Sequence, residues 1–189
     1  MNVDKTKIKV ATEMLLEALG EDLSREGLKD TPMRVANAWE EFLQPDEKLN
    51  TTFQEIKVNS MIMVRGITGW SFCEHHIIPF SYVATVGYIP KEKVLGLSKI
   101  PRVVRHEGRR LRTQETMTRD IIDHLKNLTE TEDIAVRLEG VHLCMVMRGV
   151  KAQGASMVTQ ELSGAFMDDG VVRNEFMMMA DSHGLLLQP

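Results

Sequence analysis

Residues 134–150 read IAVRLEGVHLCMVMRGV, a long β-prone run that also carries the second of only two cysteines in the chain. If it is extended without a bulge, side chains alternate between faces, so His142, Cys144 and Arg148 point one way while Val141, Leu143, Met145 and Met147 supply ordinary core. A bulge would break that alignment. Residues 81–89, SYVATVGYI, form a second expected strand bounded by Pro79 and Pro90. Shorter β-prone runs lie at Ile56 to Val58 and Met61 to Val64. Another starts at Val158, after a loop over 151–156. These runs predict a small sheet.

Helical periodicity fills the rest. Ile8, Ala11, Leu15, Ala18 and Leu19 recur at steps of three and four, and Gly20 follows as a stop. A second helix starts at Thr31, whose hydroxyl is placed to cap, with Pro32 at the first helical position and an apolar face of Val35, Ala38, Trp39 and Phe42. The polar stretch from Pro45 to Asn50 reads as a connector. Ser98 caps a helix through Val103 and Val104. Met117, Ile121, Leu125 and Leu128 mark an amphipathic helix after Thr113, and Val171 to Ala180 a last one. The class is therefore α+β, divided into a helical segment over 1–50 and a larger domain over 51–189, with no internal repeat.

With 189 residues and 43% hydrophobic content, the chain can bury one sizeable core. Its net charge of −4 creates no global field towards nucleic acid or anionic lipid. The basic run RVVRHEGRRLR (residues 102–112) lacks interleaved stacking aromatics, so it reads as a solvated helix face or a small-polyanion site near the Ser98 helix start. The apolar runs are too short to span a bilayer. Two cysteines without a secretory leader predict a reducing, cytoplasmic setting in which thiols stay available for metal. Met177 to Met179 reads as core or interface filler.

Cys73-Glu-His-His76 lies in the turn that feeds a strand, and each cysteine stands beside histidines. Thiolate and imidazole suit a borderline-soft divalent ion, and the gap between Cys73 and His76 lets a short turn close on one metal. With Cys144 as third ligand, the fourth position belongs to water and the site is catalytic. The competing reading is a closed structural zinc that also takes His75 or His142. A lone cysteine is usually a small buried hydrophobe, but two clusters that use every cysteine favour a metal.

Several motifs together give the chain a family resemblance. REGLKDTPMRVANAW (25–39), SFCEHHIIPF (71–80), GYIPKEKVLGLSKIPRVV (87–104), RRLRTQE (109–115) and VHLCMVMRGV (141–150) resemble GTP cyclohydrolase I in order and spacing. The resemblance implies the tunnel fold, an antiparallel four-stranded sheet with helices on one face, preceded by N-terminal helices and closed into a barrel by a homodecamer with active sites at subunit boundaries. It implies Zn2+ on Cys73, His76 and Cys144, with His75 and His142 released for proton transfer. It implies guanine recognition by Gln114 and Glu115, triphosphate binding by Ser98, Lys99, Arg102 and Arg148, and site support from Glu74. The implied reaction converts GTP to 7,8-dihydroneopterin triphosphate and formate by hydrolysis at carbon 8, for pterin and tetrahydrofolate biosynthesis. The alternatives are a related tunnel-fold enzyme on another purine or pterin, or a structural-zinc interaction module. Departures from the family pattern keep the first alternative open: His106 and Glu107 replace an aromatic or apolar pair, Thr113 a valine and Thr116 an arginine. The first change puts a polar pair on a helix that should pack inward, and the Thr116 change loosens an ion pair near the base pocket.

Overall fold

The computed structural model describes residues 3–44, 49, 53–54, 58, 60–91 and 94–181. Along them run α1 (Lys5–Ala18), α2 (Thr31–Leu43), β1 (Phe53–Gln54), β2 (Ile62–Cys73), β3 (Ile78–Tyr88), β4 (Val94–Leu95) and α3 (Lys99–Gly108). There follow β5 (Leu111–Arg112), α4 (Gln114–Thr129), β6 (Ile134–His142), α5 (Leu143–Val146), β7 (Met157–Leu162), α6 (Ala165–Asp168) and α7 (Gly170–Asp181). Contacts group the chain into two compact units, Met1–Pro45 and Asp46–Pro189. Ile56, Lys57 and most of the expected 45–50 connector lie outside the described residues.

In the first unit, Asp4 caps α1 by accepting from Lys7 N at 3.0 Å, a signal that the apolar pattern did not carry. Gly20, at φ +80°, closes the helix where the left-handed region is needed. Thr31 is not the cap of α2. Asp30 occupies that position, and the Thr31 hydroxyl instead donates to Gly27 O at 3.3 Å. The expected apolar face of α1 is also not buried in this chain: Leu15 is 58% and Leu19 68% exposed, and Thr12 is the buried residue.

The second unit is built on a sheet of order β5-β2-β3-β6-β7. Four strands are antiparallel, and the two-residue β5 adds a parallel edge to β2, pairing Cys73 with Arg112. β2 is much longer than the run at Met61 to Val64 suggests, because Gly66, Gly69 and interspersed polar residues hide its alternation. A register shift between Val64 and Ile67, with Gly66 at φ +70°, bends it. Pro79 falls inside β3 instead of bounding it. It pairs with Phe72 of β2, while the β6 ladder begins only at Phe80, so no second neighbour needs its missing N–H.

The run over 134–150 is not one strand. It is extended only to His142, then turns into α5 and a turn over 147–150. In the established register the partner of Leu143 would be Pro79, which has no N–H to offer a ladder. The expected shared face of His142, Cys144 and Arg148 therefore does not exist.

Packing follows from the alternation of β6. Ile134, Val136 and Leu138 face a core with Val103 and Val104 of α3 and Met117, Ile121 and Leu125 of α4. Ala135 faces the other way, into a smaller cluster with Phe166 of α6 and Phe176 of α7, against which Met177 packs. Tyr82 lies in the larger core between Gly69 and Gly108, whose missing Cβ atoms leave room for its ring. Burial pushes its phenol up to about 12. Above pH ~10 the unfolded chain sheds this proton first, so stability falls as pH rises through the interval to 12. Urea midpoints at pH 9 and pH 11 should show the wild type losing about 1 kcal/mol more than Tyr82→Phe. Equal losses would mean that the phenol ionises freely in the fold.

Candidate metal centre and active site

The hairpin between β2 and β3 places the first donors. Cys73 ends β2 and is 5% exposed, and its carbonyl accepts from His76 N at 3.3 Å and Ile77 N at 2.8 Å, which winds residues 74–77 into a tight turn. Ile77 holds φ 56°, a region that a β-branched residue rarely adopts. His75 and His76 are thereby lifted to the surface, their rings edge-on at 6.3 Å.

Cys144 arrives from the other side. One helical turn after β6, closed by Met147 N donating to Leu143 O at 2.9 Å, carries it to the hairpin. The potential ligand atoms of Cys73, His76 and Cys144 lie within 4.8 Å of one another, and this cluster could hold a metal ion. Both cysteines are free thiols. Burial, with Cys73 beside it, holds the Cys144 thiol above its ordinary value, an arrangement that a cation would reverse. Two sulfurs and one imidazole make a donor set suited to zinc.

The two remaining histidines stay outside this set. His75 Nδ1 is 3.8 Å from Cys73 Sγ, but His75 is not among the three residues whose donor atoms converge. His142, the last residue of β6, is 9% exposed and turns away: its Nε2 is 2.9 Å from Gln114 Oε1, and its ring stacks on Phe80 at 4.3 Å and 9°. Gln114, at the start of α4, is fully buried. Its Nε2 donates to Leu138 O at 3.3 Å, Met157 O at 3.0 Å and Thr159 Oγ1 at 3.0 Å. Two of those acceptors are carbonyls, so the amide cannot flip without losing them. Oε1 must therefore accept, the His142 proton sits on Nε2, and Nδ1 keeps the lone pair. Gly140 makes this possible, since a Cβ there would collide with Gln114 Oε1. Burial lowers the affinity of His142 for a second proton, with Glu115 partly opposing, so the ring is held towards its neutral form.

Glu115 is exposed in the first turn of α4. Arg148, in the turn after α5, brings a guanidinium N 2.9 Å from His76 Nε2. Glu74 is exposed beside the cluster. Ser98, Lys99 and Arg102 are placed differently. α3 runs along the sheet from the Tyr88 end of β3, where Leu95 N meets Tyr88 Oη at 3.0 Å, to the end where Gly108 lies over Tyr82. Ten residues of helix span about 15 Å, so its first turn lies at the far end from the Cys73 hairpin within this chain. Ser98 stands at the N-cap of α3 but makes no side-chain cap bond.

The sequence reading assigned no role to Phe80 and none to Gln114 as a partner of His142; both depend on the register that sets Phe80 opposite His142. Thr113 and Thr116 form a local cap instead, Thr113 Oγ1 accepting from Thr116 N at 3.2 Å.

Known proteins match the sequence along nearly the whole chain. The model of the family described as GTP cyclohydrolase I matches residues 8–181. The chain is 45% identical over 184 residues to GTP cyclohydrolase 1 of Sulfurihydrogenibium sp. (strain YO3AOP1), covering 97% of this chain and 98% of that one. It is 43% identical to GTP cyclohydrolase 1 of Hyperthermus butylicus, over 98% and 95% of the two chains, and 43% identical to that of Aquifex aeolicus, over 95% and 98%.

Proposed function

The chain belongs to the GTP cyclohydrolase I family and is an enzyme of that type, and we propose that it hydrolyses GTP at a zinc held by Cys73, His76 and Cys144, releasing formate and forming 7,8-dihydroneopterin triphosphate. The observation that carries the zinc reading is the convergence of three donors while His142 is committed to Gln114. Among the described residues no fourth donor joins these three, whereas a closed structural site takes four protein ligands. Zinc, when bound, supplies a water acidified towards neutral pH and polarises a carbonyl.

The chain's own groups do the remaining work. His142 takes a proton at Nδ1, the nitrogen that Gln114 leaves bare, and Phe80 and Gln114 fix the plane from which it acts. His75, exposed beside Cys73, is the second proton carrier. Glu115 offers a carboxylate to the N1 and amino donors of guanine, and Gln114 joins it in base recognition through the histidine it positions. Arg148 meets the triphosphate from the metal side, with Glu74 supporting the hairpin. Ser98, Lys99 and Arg102 complete the phosphate site from a second copy of the chain, because their own α3 carries them away from their own metal cluster. The assembly is a homo-oligomer, a decamer by family likeness. A cytoplasmic location belongs to the same proposal, supported by the two free thiols. Among the described residues no helix is long and apolar enough to cross a membrane.

Action on another purine or pterin has less support, since Thr113 and Thr116 serve each other in the α4 cap. Incubating zinc-replete protein with GTP should yield formate and a pterin that fluoresces after oxidation, with ATP and free pterins competing poorly. Absence of both products, or faster turnover of a competitor, overturns the proposal.

A further inference from the structure

A second group of donors converges away from the hairpin. His106 and Glu107 end α3, and His124 faces them from α4. Their potential ligand atoms lie within 4.8 Å of one another. Glu107 is 6% exposed, and its Oε1 lies 2.8 Å from His124 Nδ1 and 4.0 Å from His106 Nε2. The two rings meet edge-on at 5.6 Å. Its other oxygen, Oε2, is held by Arg112 at 3.3 Å, and Arg112 is anchored by Asp120 at 2.6 Å.

We propose that His106, Glu107 and His124 form a second site for a divalent transition metal, clamping α3 to α4. The geometry needs little adjustment. Ligand atoms around a tetrahedral ion with bonds of about 2.0–2.2 Å stand roughly 3.4 Å apart, so the 2.8 Å contact opens and the 4.0 Å contact closes by about 0.6 Å each. Arg112 and Asp120 play the part of outer partners, orienting the carboxylate so that Oε1 faces the imidazoles. Two nitrogens and one oxygen suit Zn2+, Co2+ or Ni2+ better than Mg2+ or Ca2+.

Without a cation the cluster is poorly satisfied. Glu107 Oε1 lies between two imidazoles and bonds only one, while His106 Nδ1 and Arg112 Nε are buried with no hydrogen-bond partner. An ion placed against Oε1, His106 Nε2 and His124 Nδ1 would engage the second imidazole that Oε1 does not bond, while His106 Nδ1 and Arg112 Nε keep their present surroundings. The polar pair that departs from the family pattern at 106 and 107 thus has a partner across the helix interface.

Cobalt separates this site from the hairpin site, because only the latter contains thiolate. Titrating the metal-free full-length chain with Co2+ should load two equivalents, of which one produces the near-ultraviolet sulfur-to-cobalt charge-transfer band and the other does not. His124→Ala and, independently, His106→Phe should each lose the second equivalent and keep the charge-transfer band at full amplitude. The metal-dependent rise in Tm beyond the first equivalent should vanish with it. One equivalent in the wild type, or two that persist in both variants, overturns the proposal. Loss of the charge-transfer band in the wild type would speak against the hairpin site instead, so the two failures are distinguishable.

Discussion

Cys144→Ala is expected to abolish formate release from GTP, by roughly 10³-fold or more, while leaving the fold and the assembly in place. The loss follows from removing one of three donors, since the water acidified by the metal and the charge it stabilises are together worth several kcal/mol, and each 1.4 kcal/mol is about tenfold. The survival follows from where Cys144 sits. It lies on the one-turn α5, half-buried at the margin of the main core, so losing its sulfur costs about 1 kcal/mol of packing. Metal analysis, circular dichroism and size exclusion on the same sample check all three parts. A melted or monomeric Cys144→Ala would mean that the metal is architectural. If the site is shared between two chains as proposed, chains of Cys144→Ala and Arg102→Ala, each nearly inactive, should regain activity when assembled together. Interfaces then pair an intact metal cluster from one chain with an intact Arg102 from the other. No recovery on mixing would place both halves of the site in a single chain.

The cluster that could hold a metal was legible in part because a tight turn makes neighbours of Cys73 and His76 whatever the surrounding fold. The route by which Cys144 joins them was not. Alternation along residues 134–150 predicted a continuous strand, and it failed at Leu143, where the opposite position in the ladder is Pro79. β-Propensity describes the run itself, whereas the end of a strand is set by what its partner can offer, and the partner lies some sixty residues earlier in the chain. The same limit hid β2, whose glycines and polar residues dilute the period, and β5, which is two residues long. Helices fared better because their patterns are local: α4 begins after Thr113 and α7 spans the predicted residues. The apolar recurrence of α1 located the helix but carried no information on burial, which depends on what covers the face: Leu15 and Leu19 are exposed. His106 and Glu107 read as a polar pair on a helix that should pack inward, and the contact of Glu107 with His124 on the neighbouring helix was not visible in the sequence.

His142→Ala should lower kcat by about 10²–10⁴-fold, the range typical of a positioned acid or base, with little change in KM and with the sulfur-to-cobalt band intact. Gln114 provides the sharper experiment. Its amide is locked by Leu138, Met157 and Thr159, and its only free function is to accept the Nε2 proton of His142. Releasing that bond lets the ring tautomerise and swing off Phe80. Gln114→Ala should therefore lose kcat by about 10–100-fold, and also cost roughly 2–4 kcal/mol of stability through the cavity and the lost amide hydrogen bonds. Guanidinium unfolding measures the second quantity and steady-state kinetics the first. The double variant decides between two ways in which Gln114 can serve guanine recognition. If it acts through His142, the double variant turns over no more slowly than His142→Ala alone, because the residue it positions is already gone. If Gln114 leaves its partners to bond the base directly, its loss adds in full to that of His142 and KM for GTP rises in the single variant as well. Non-additivity at unchanged KM is the expected result, since moving the amide to the base would break its bonds to Leu138 O, Met157 O and Thr159 Oγ1 and remove the acceptor that fixes the histidine.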